Sequence, residues 1–441
     1  MEASAPVSLD QDQPLENLVN SLRRKLQNLS PPPSECCIYR VPERLRLENA
    51  NAYIPRVLSI GPLHHGEQRF QAMEEHKMLY LNSFLERTKV SLEDYTKFIK
   101  EREQKVRKHY AETFETVESN RFVEMILVDA AFVIELLWRN HSKDEVQEND
   151  RIFNRPWKVG DIRYDMMLLE NQLPFFIFED IFTLAKLRIS LDNIGDRLSM
   201  SSEKISLIIL TYKFFRFKAY LGGIKEILKR VQSSEIKHFV DFFRQCHVPR
   251  ELPPRGEIQT LTVPSVTELY EAGVNFEVGS TKSLFDIQFR KGTLVIPRLR
   301  IRKSTESFFL NLLAFEQCHL LDCYINDYVF IIDRLIDTTS AVQLLVQSGV
   351  IESKLPDNKE VVTSINNLVR GSILRCKHFY FNDLCVSLNA YYSDPWNKWT
   401  AALKHKHFSS PLTIFAVVLA AAVFILTLIQ TVCSCGVQFK K

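Results

Sequence analysis

The chain has almost no net charge: 56 basic and 53 acidic residues leave +3. It therefore lacks the one-signed surface that draws a protein onto nucleic acid. Familiar catalytic signatures are missing too. No Gly-rich phosphate loop, His-Glu-x-x-His helix, Gly-x-Ser-x-Gly elbow or paired Cys-x-x-Cys set occurs, which removes the usual sequence handles for nucleotide, zinc-protease, serine-hydrolase and dithiol chemistry. The opening MEASAPVSLDQDQPLENLVNSL has no apolar h-region, so no cleavable secretory signal is read there. Nine cysteines, an odd and scattered set, form no disulfide framework. These absences predict a body on the cytosolic side, with the sequons at Asn28 and Asn140 unglycosylated and the body thiols reduced.

Apolar material is abundant. Hydrophobic residues make up 46% of the 441, with thirty Phe and fourteen Tyr, enough for a large core of aromatic plates or an aromatic binding surface. The most apolar run, LTIFAVVLAAAVFILTLI, begins after Pro411 and ends before Gln430. At about 1.5 Å per residue it would rise roughly 27 Å, near the ~30 Å of a bilayer core. Residues 411–430 are therefore expected to form a transmembrane helix, followed by a short tail over 431–441. Lysines flank both ends of this run and leave its orientation open. Cys433 and Cys435 lie just beyond it, where acylation is one option and unmodified thiols the other.

Upstream, residues 1–35 read as a flexible N-terminal arm. Residues 12 to 30 form a short amphipathic helix, a docking peptide or mobile arm, stopped by Pro31-Pro32-Pro33. The body, 36–400, opens with an extended strip through Gly66 that only packing against something else can order. Helices are predicted over Met73–Arg87, through residues 91 to 118 and from Arg121 to Trp138, the last apolar around most of its circumference. Another starts at Asp161 and stops near Gln172 ahead of Pro174. Residues 203 to 245 read as further helix. Minor β elements are predicted around 260–300, at Asn275–Glu277, Phe285–Phe289 and Thr293–Ile296, with helices again from Thr305 and across DYVFIIDRLIDTTSAVQLLVQSG. The fold class expected is mainly α: a large helical body, a small strand-bearing insertion and a C-terminal transmembrane helix. A division into two domains near residue 250 is the alternative.

Several strings, in fixed order, carry a family resemblance. They are Tyr39-Arg40-Val41-Pro42, Tyr53-Ile54-Pro55 with VLSIGPLHHG at 57–66, MEEHK at 73–77, DMMLLENQLP at 165–174, PSVTEL at 264–269 with Ala272-Gly273-Val274, and NLLAFEQC at 311–318. Together with the apolar C-terminal run they resemble the plant family called Domain of Unknown Function 247, also uncharacterised protein family 0481, over roughly residues 36 to 435. The resemblance implies a helical, membrane-attached plant protein and carries over no catalytic or binding residue. A subset of grass relatives is linked to pollen and stigma self-recognition; the resemblance does not place this chain in that subset.

Candidate chemistry rests on a few polar clusters. His64 and His65, with Glu74, Glu75 and His76 ten residues on, offer mixed nitrogen and oxygen ligands for a divalent metal. Adjacent histidines in an extended strip point to opposite sides, which favours instead hydrogen bonds to backbone around Gly61 and Gly66. Asp161 and Asp165, four apart, would share a helical face with Glu170 nearby, half of an acid–base or two-metal pair. No histidine supplies the other half, so Glu170, Asn171 and Gln172 are expected to satisfy the backbone groups freed ahead of Pro174. Asp129, Glu135, Glu316 and Gln317 lie in apolar helices and need Arg, Lys or Tyr partners. No residue is assigned as catalytic, cofactor-binding or metal-ligating, and no cofactor is expected.

Three functional classes follow. The leading one is a membrane-anchored, single-pass protein with a cytosolic body that serves protein interaction, signalling or recognition; its partners are the membrane and an unknown protein, with no nucleic acid. The alternatives are a membrane-attached hydrolase or metal-dependent enzyme using carboxylates of the 161–170 helix, and a structural scaffold. A polar cleft holding Asp161, Asp165 or His76 would favour the enzyme, an exposed aromatic patch the binding protein.

Overall fold

A computed structural model describes residues 12–27, 33–187 except 147 and 149, 202–216, 221–231, 235–249, 260–373 except 321, 379–407 and 411–438. Side chains of 12–14, 25, 27, 202–206, 403–407, 411–418 and 433–438 are outside that description. The Ser119–His141 helix is the axis of the N-terminal half. Its residues Phe122 to Leu137 are almost all buried, because the Gln71–Thr88, Leu92–Lys108, Phe175–Leu184 and Ser202–Phe215 helices pack around it. This is the outcome expected of a helix apolar on every side. A second centre is Thr305–His319, buried from Thr305 to Glu316. It packs against Phe239–His247, Tyr324–Leu335 and Asn358–Arg370. One continuous apolar cluster joins the two, running from Cys37 to Leu388 and holding aromatic stacks such as Phe175, Phe178, Phe215 and Phe239.

The mainly α character holds, and the strands fall where their β-branched and aromatic residues cluster. Strand β1 (Asn275–Gly279) lies parallel to β3 (Thr293–Pro297), which pairs antiparallel with β2 (Gln288–Arg290). Strand β4 (Leu299–Ile301) pairs with β5 (Ile351–Ser353), a partner not foreseen from sequence. Between β2 and β3, Lys291 and Gly292 both have positive φ, 48° and 74°, the geometry of a tight hairpin turn.

Several boundaries differ from the sequence expectation. The helix from Pro156 ends at Asp165, well short of Gln172. Among the described residues the stretch 203–245 holds three helices, Ser202–Phe215, Ile224–Val231 and Phe239–His247. The DYVFIIDRLIDTTSAVQLLVQSG stretch breaks into Tyr324–Leu335 and Thr339–Gln347, because the Thr338 hydroxyl accepts the Ala341 amide at 3.2 Å and starts a new helix. The charged helix expected to 118 stops at Lys108, where Tyr110 leaves to bridge Ile38.

The transmembrane expectation is corrected. Among the described residues no helix is long and apolar enough to cross a membrane. A helix, Pro411–Gln438, does cover the expected span. Its side chains are described only over 419–432, a stretch that rises about 21 Å, short of a ~30 Å hydrocarbon core. The C-terminal transmembrane helix, the single-pass localisation with its cytosolic body, the membrane as partner and the membrane-anchored role all rested on that span and are not retained. Cys433 and Cys435 have side chains outside the described residues, and Asn28 lies outside them altogether. Asn140 is half-buried and accepts a hydrogen bond from Arg163 at 3.1 Å.

The strip from Tyr39 to Gly66 contains a short helix, Glu43–Asn49, followed by a single 3-10 turn, Ala50–Ala52, and is otherwise irregular. Val41, Leu45, Tyr53, Leu58 and Ile60 are nonetheless buried. Leu58 is fully enclosed, so Leu58→Ala is expected to cost about 2–5 kcal/mol of folding stability by lost burial and cavity formation. Urea denaturation followed by circular dichroism measures the loss, and limited proteolysis should then cut within 39–66 where the parent chain is protected.

Candidate functional site: a buried polar clasp

An irregular strip cannot satisfy its own backbone amides, and buried amides need acceptors. Three carboxylates and one amide side chain supply them. Both oxygens of Asp165 are used: Oδ1 accepts the Arg56 amide, and Oδ2 those of Val57 and Leu58, each at 2.8 Å. Asn171 Oδ1 takes the Ile60 amide at 2.6 Å, while its Nδ2 donates to Leu58 O and Asp165 O. Asp129 Oδ2 takes Gly61 N at 2.8 Å, and its Oδ1 receives the buried Lys77 ammonium at 2.6 Å. Glu170 takes Val41 N at 2.6 Å, pairs with Arg46, and has Arg40 at 3.6 Å. Gly61 fits because it has φ of 74° and no Cβ: an added Cβ would sit 2.6 Å from Gln172 O and 2.9 Å from the Tyr110 hydroxyl.

This geometry explains the early helix end. Asn171 reaches back to Asp165 O, and Gln172 Nε2 donates to Met166 O and Leu168 O at 2.9 and 2.7 Å. The carbonyls that a longer helix would have paired are thus satisfied by side chains. Gln172 Oε1 meanwhile accepts Phe239 N at 3.0 Å. Asn311 performs the same service across the core, accepting Leu169 N and donating to Ala52 O. Glu316 takes the Ile325 and Asn326 amides and pairs with Arg244 at 2.8 Å; Gln317 donates to Asn326 Oδ1 and Gly371 O.

The candidates named from sequence separate clearly. Asp165, Glu170, Asn171 and Asp129 converge on the strip, while the Gln172 side chain bonds Met166 O, Leu168 O and Phe239 N. Asp161 does not join them; it is half-buried and faces Arg56 at 3.5 Å. Glu135 pairs with Arg87 and Arg139 elsewhere on its helix. His64 is buried and His65 exposed, as alternation along a strip requires. His64 Nδ1 lies 2.7 Å from Glu67 and Nε2 lies 3.3 Å from Glu170. Glu74 pairs with Lys77 at 2.6 Å, while Glu75 is exposed and His76 half-buried. No group of three or more His, Cys, Asp or Glu among the described residues could hold a metal ion, so the metal-dependent enzyme is withdrawn. Cys36 and Cys37 are buried free thiols, and burial pushes both upward in pKa. Arg46, Lys77 and Asn311 were not picked out from sequence. Lys77 left a signal: it sits on the Met73, Tyr80, Phe84 stripe of its helix, where a lone cation calls for a buried partner.

Charge in the clasp is finely set. Burial pushes the Asp165 carboxyl up to about 7, against the pull of its three amide donors. Asp327, which accepts the Tyr380 amide at 2.9 Å, is raised to about 7 by the same cause. Burial also raises Glu170, but His64, the Val41 amide and Arg46 outweigh it and hold that carboxyl below its ordinary range. For Asp165 and Asp327 the folded pKa exceeds the unfolded one, so their contribution is complete below about pH 4 and is lost as pH rises through 7. Glu170 has the opposite sign: its contribution is present above the unfolded value near 4.5 and is lost as pH falls through the lowered folded one.

Two outcomes are expected. Asp165→Asn replaces one acceptor oxygen with an NH2 donor that faces one or two of the three backbone amides and should destabilise by about 1–3 kcal/mol, read as a lower urea midpoint. Unfolding free energy of the parent chain should be greatest near pH 5 and decline toward pH 8; Asp327→Asn should flatten that decline, and an unchanged slope would show that Asp327 titrates alike in both states.

Comparison with known proteins places this clasp in a family. The model of the family described as DUF247, plant protein of unknown function, matches residues 38–426. The UPF0481 protein At3g47200 of Arabidopsis thaliana is 28% identical over 425 residues, covering 90% of this chain and 85% of the relative. The putative UPF0481 protein At3g02645 from the same plant is 21% identical over 513 residues, covering 94% and 93%. No solved structure matches. Residues 38–426 contain the strip and all four of the side chains that accept its amides, and the chain belongs to the DUF247 family of plant proteins of unknown function.

Proposed function

We propose that the chain works by binding another protein, not by catalysis, and that the Asp12–Gln27 helix is the segment that engages the partner. The observation that carries this reading is its apolar stripe. Leu15, Leu18, Val19, Leu22 and Leu26 recur at helical spacing along one side, and all five are exposed, Leu15 by 61% and Leu26 by 65%. A helix of this length is marginal in water by itself, so covering the stripe would stabilise it. Seating an amphipathic helix in a partner's groove through anchors at i, i+3, i+4 and i+7 is a recurrent recognition mode.

Two further facts support binding over catalysis. The carboxylates considered as catalytic are engaged with backbone amides or cations, as described above, which leaves them poorly placed to act on a substrate. Trp396 and Trp399 stand 70% and 57% exposed with rings 5.7 Å apart, an aromatic pair at the surface. Capture from plant extract should test the reading. A partner retained by the full chain and lost by Leu18→Asp/Leu22→Asp, with no change in melting temperature, is the expected result; the same proteins retained by both would overturn it.

A further inference from the structure

A cavity of about 480 Å³ opens at the far end of the small sheet. Because β1 and β3 run parallel and Gly279 is in register with Pro297, the chain leaves both strands at the same end. The segment after β1 brings Ser280 and Lys282 there, and the segment after β3 brings Arg298 and Arg300. Arg298 and Arg300 are two apart in extended chain, so they project to one side, and both are exposed. Arg216, at the end of the Ser202–Phe215 helix, completes the wall. Four cations thus line one cavity, and no Asp or Glu lines it among the described residues.

Neighbouring acids cancel only part of this charge. Glu352 pairs with Arg300 at 3.0 Å across β4 and β5. Glu226, close to Gly222 and Lys282, is held by Arg230 at 2.7 Å. Lys282 and Arg298 pair with no carboxylate among the described residues. A second cavity of similar volume shows the contrast: Arg302, Lys303 and Lys359 there face Glu306, Asp357 and Glu360, three against three. Lys282 and Arg298, like charges at one cavity with no carboxylate partner, repel one another, and an anion relieves that repulsion. The volume falls in the range of about 300–1,000 Å³ typical of small-molecule sites, well beyond a lone phosphate. Leu221 and Leu284 add apolar wall against which a ring or chain could lie.

We infer that this cavity is a binding site for a free, small polyphosphorylated molecule, held chiefly by Lys282 and Arg298. Guanidinium offers two parallel donors to a phosphate, and the lysine ammonium a compact point charge. The site is independent of the Asp12–Gln27 helix.

Isothermal titration of the full chain with inorganic tripolyphosphate tests it. Saturable binding is expected, weakening steeply as salt rises, and reduced about tenfold or more in Lys282→Glu/Arg298→Glu while melting temperature is unchanged. Lys303→Glu/Lys359→Glu, in the charge-balanced cavity, should leave affinity as it was. Equal binding by the Lys282/Arg298 variant would overturn the assignment, as would equal loss in both variants, which marks a diffuse charge effect. Vesicles of phosphatidylcholine doped with phosphatidylinositol bisphosphate form the second arm; binding to these without binding of tripolyphosphate would overturn a free ligand.

Discussion

Three backbone amides converging on one buried carboxylate, Asp165, govern much of this fold. A chain segment without secondary structure can enter a protein interior only if something else accepts its N–H groups. Asp165, helped by Asn171, Asp129 and Glu170, accepts those of Val41, Arg56, Val57, Leu58, Ile60 and Gly61. With those bonds made, Leu58 and Ile60 can fill the space beside the central helices. The cost is a carboxylate taken out of water, which the raised Asp165 value records. Of the Asp161 and Asp165 pair that looked like half of an acid–base site, Asp165 is therefore occupied in holding the strip and Asp161 stands apart.

Much of the helical framework was legible because it rests on local periodicity. Ser119–His141 and Thr305–His319 are apolar over lengths that only a buried helix accommodates, and both lie close to where the pattern put them. Strands β1 and β3 were legible for the same reason and β2 in part, whereas β4 and β5, some fifty residues apart, were not, their pairing being set by tertiary packing. Helix ends decided by side-chain competition were not. The Pro156 helix stops at Asp165 because Asn171 and Gln172 take over its terminal carbonyls, a choice visible only when their geometry is seen. The C-terminal run was read as a membrane span from its apolarity and length in the sequence, whereas among the described residues no helix is long and apolar enough to cross a membrane.

The clasp was half legible. Glu170, Asn171 and Gln172 were expected to satisfy backbone near Pro174, yet two of the three also reach the strip more than a hundred residues away. Spacing along the chain reports neighbours on one element and is silent about such distant partners. The basic cavity was hidden for a related reason: Arg216, Lys282 and the two arginines after β3 are ordinary surface cations until a parallel strand pair brings them to one end of a sheet.

The reach of the clasp bears on the order in which the protein can fold. Leu58 finds its acceptor 107 residues downstream, and Ala52 meets Asn311 after 259. During synthesis the strip emerges early and must wait, its apolar side chains uncovered, until the Asp165 segment and then the Thr305–His319 helix have followed. Closing loops of that length is entropically slow. The strip is thus among the first parts made and the last to settle, and the interval between is when the nascent chain is most open to association through Tyr53, Leu58 and Ile60.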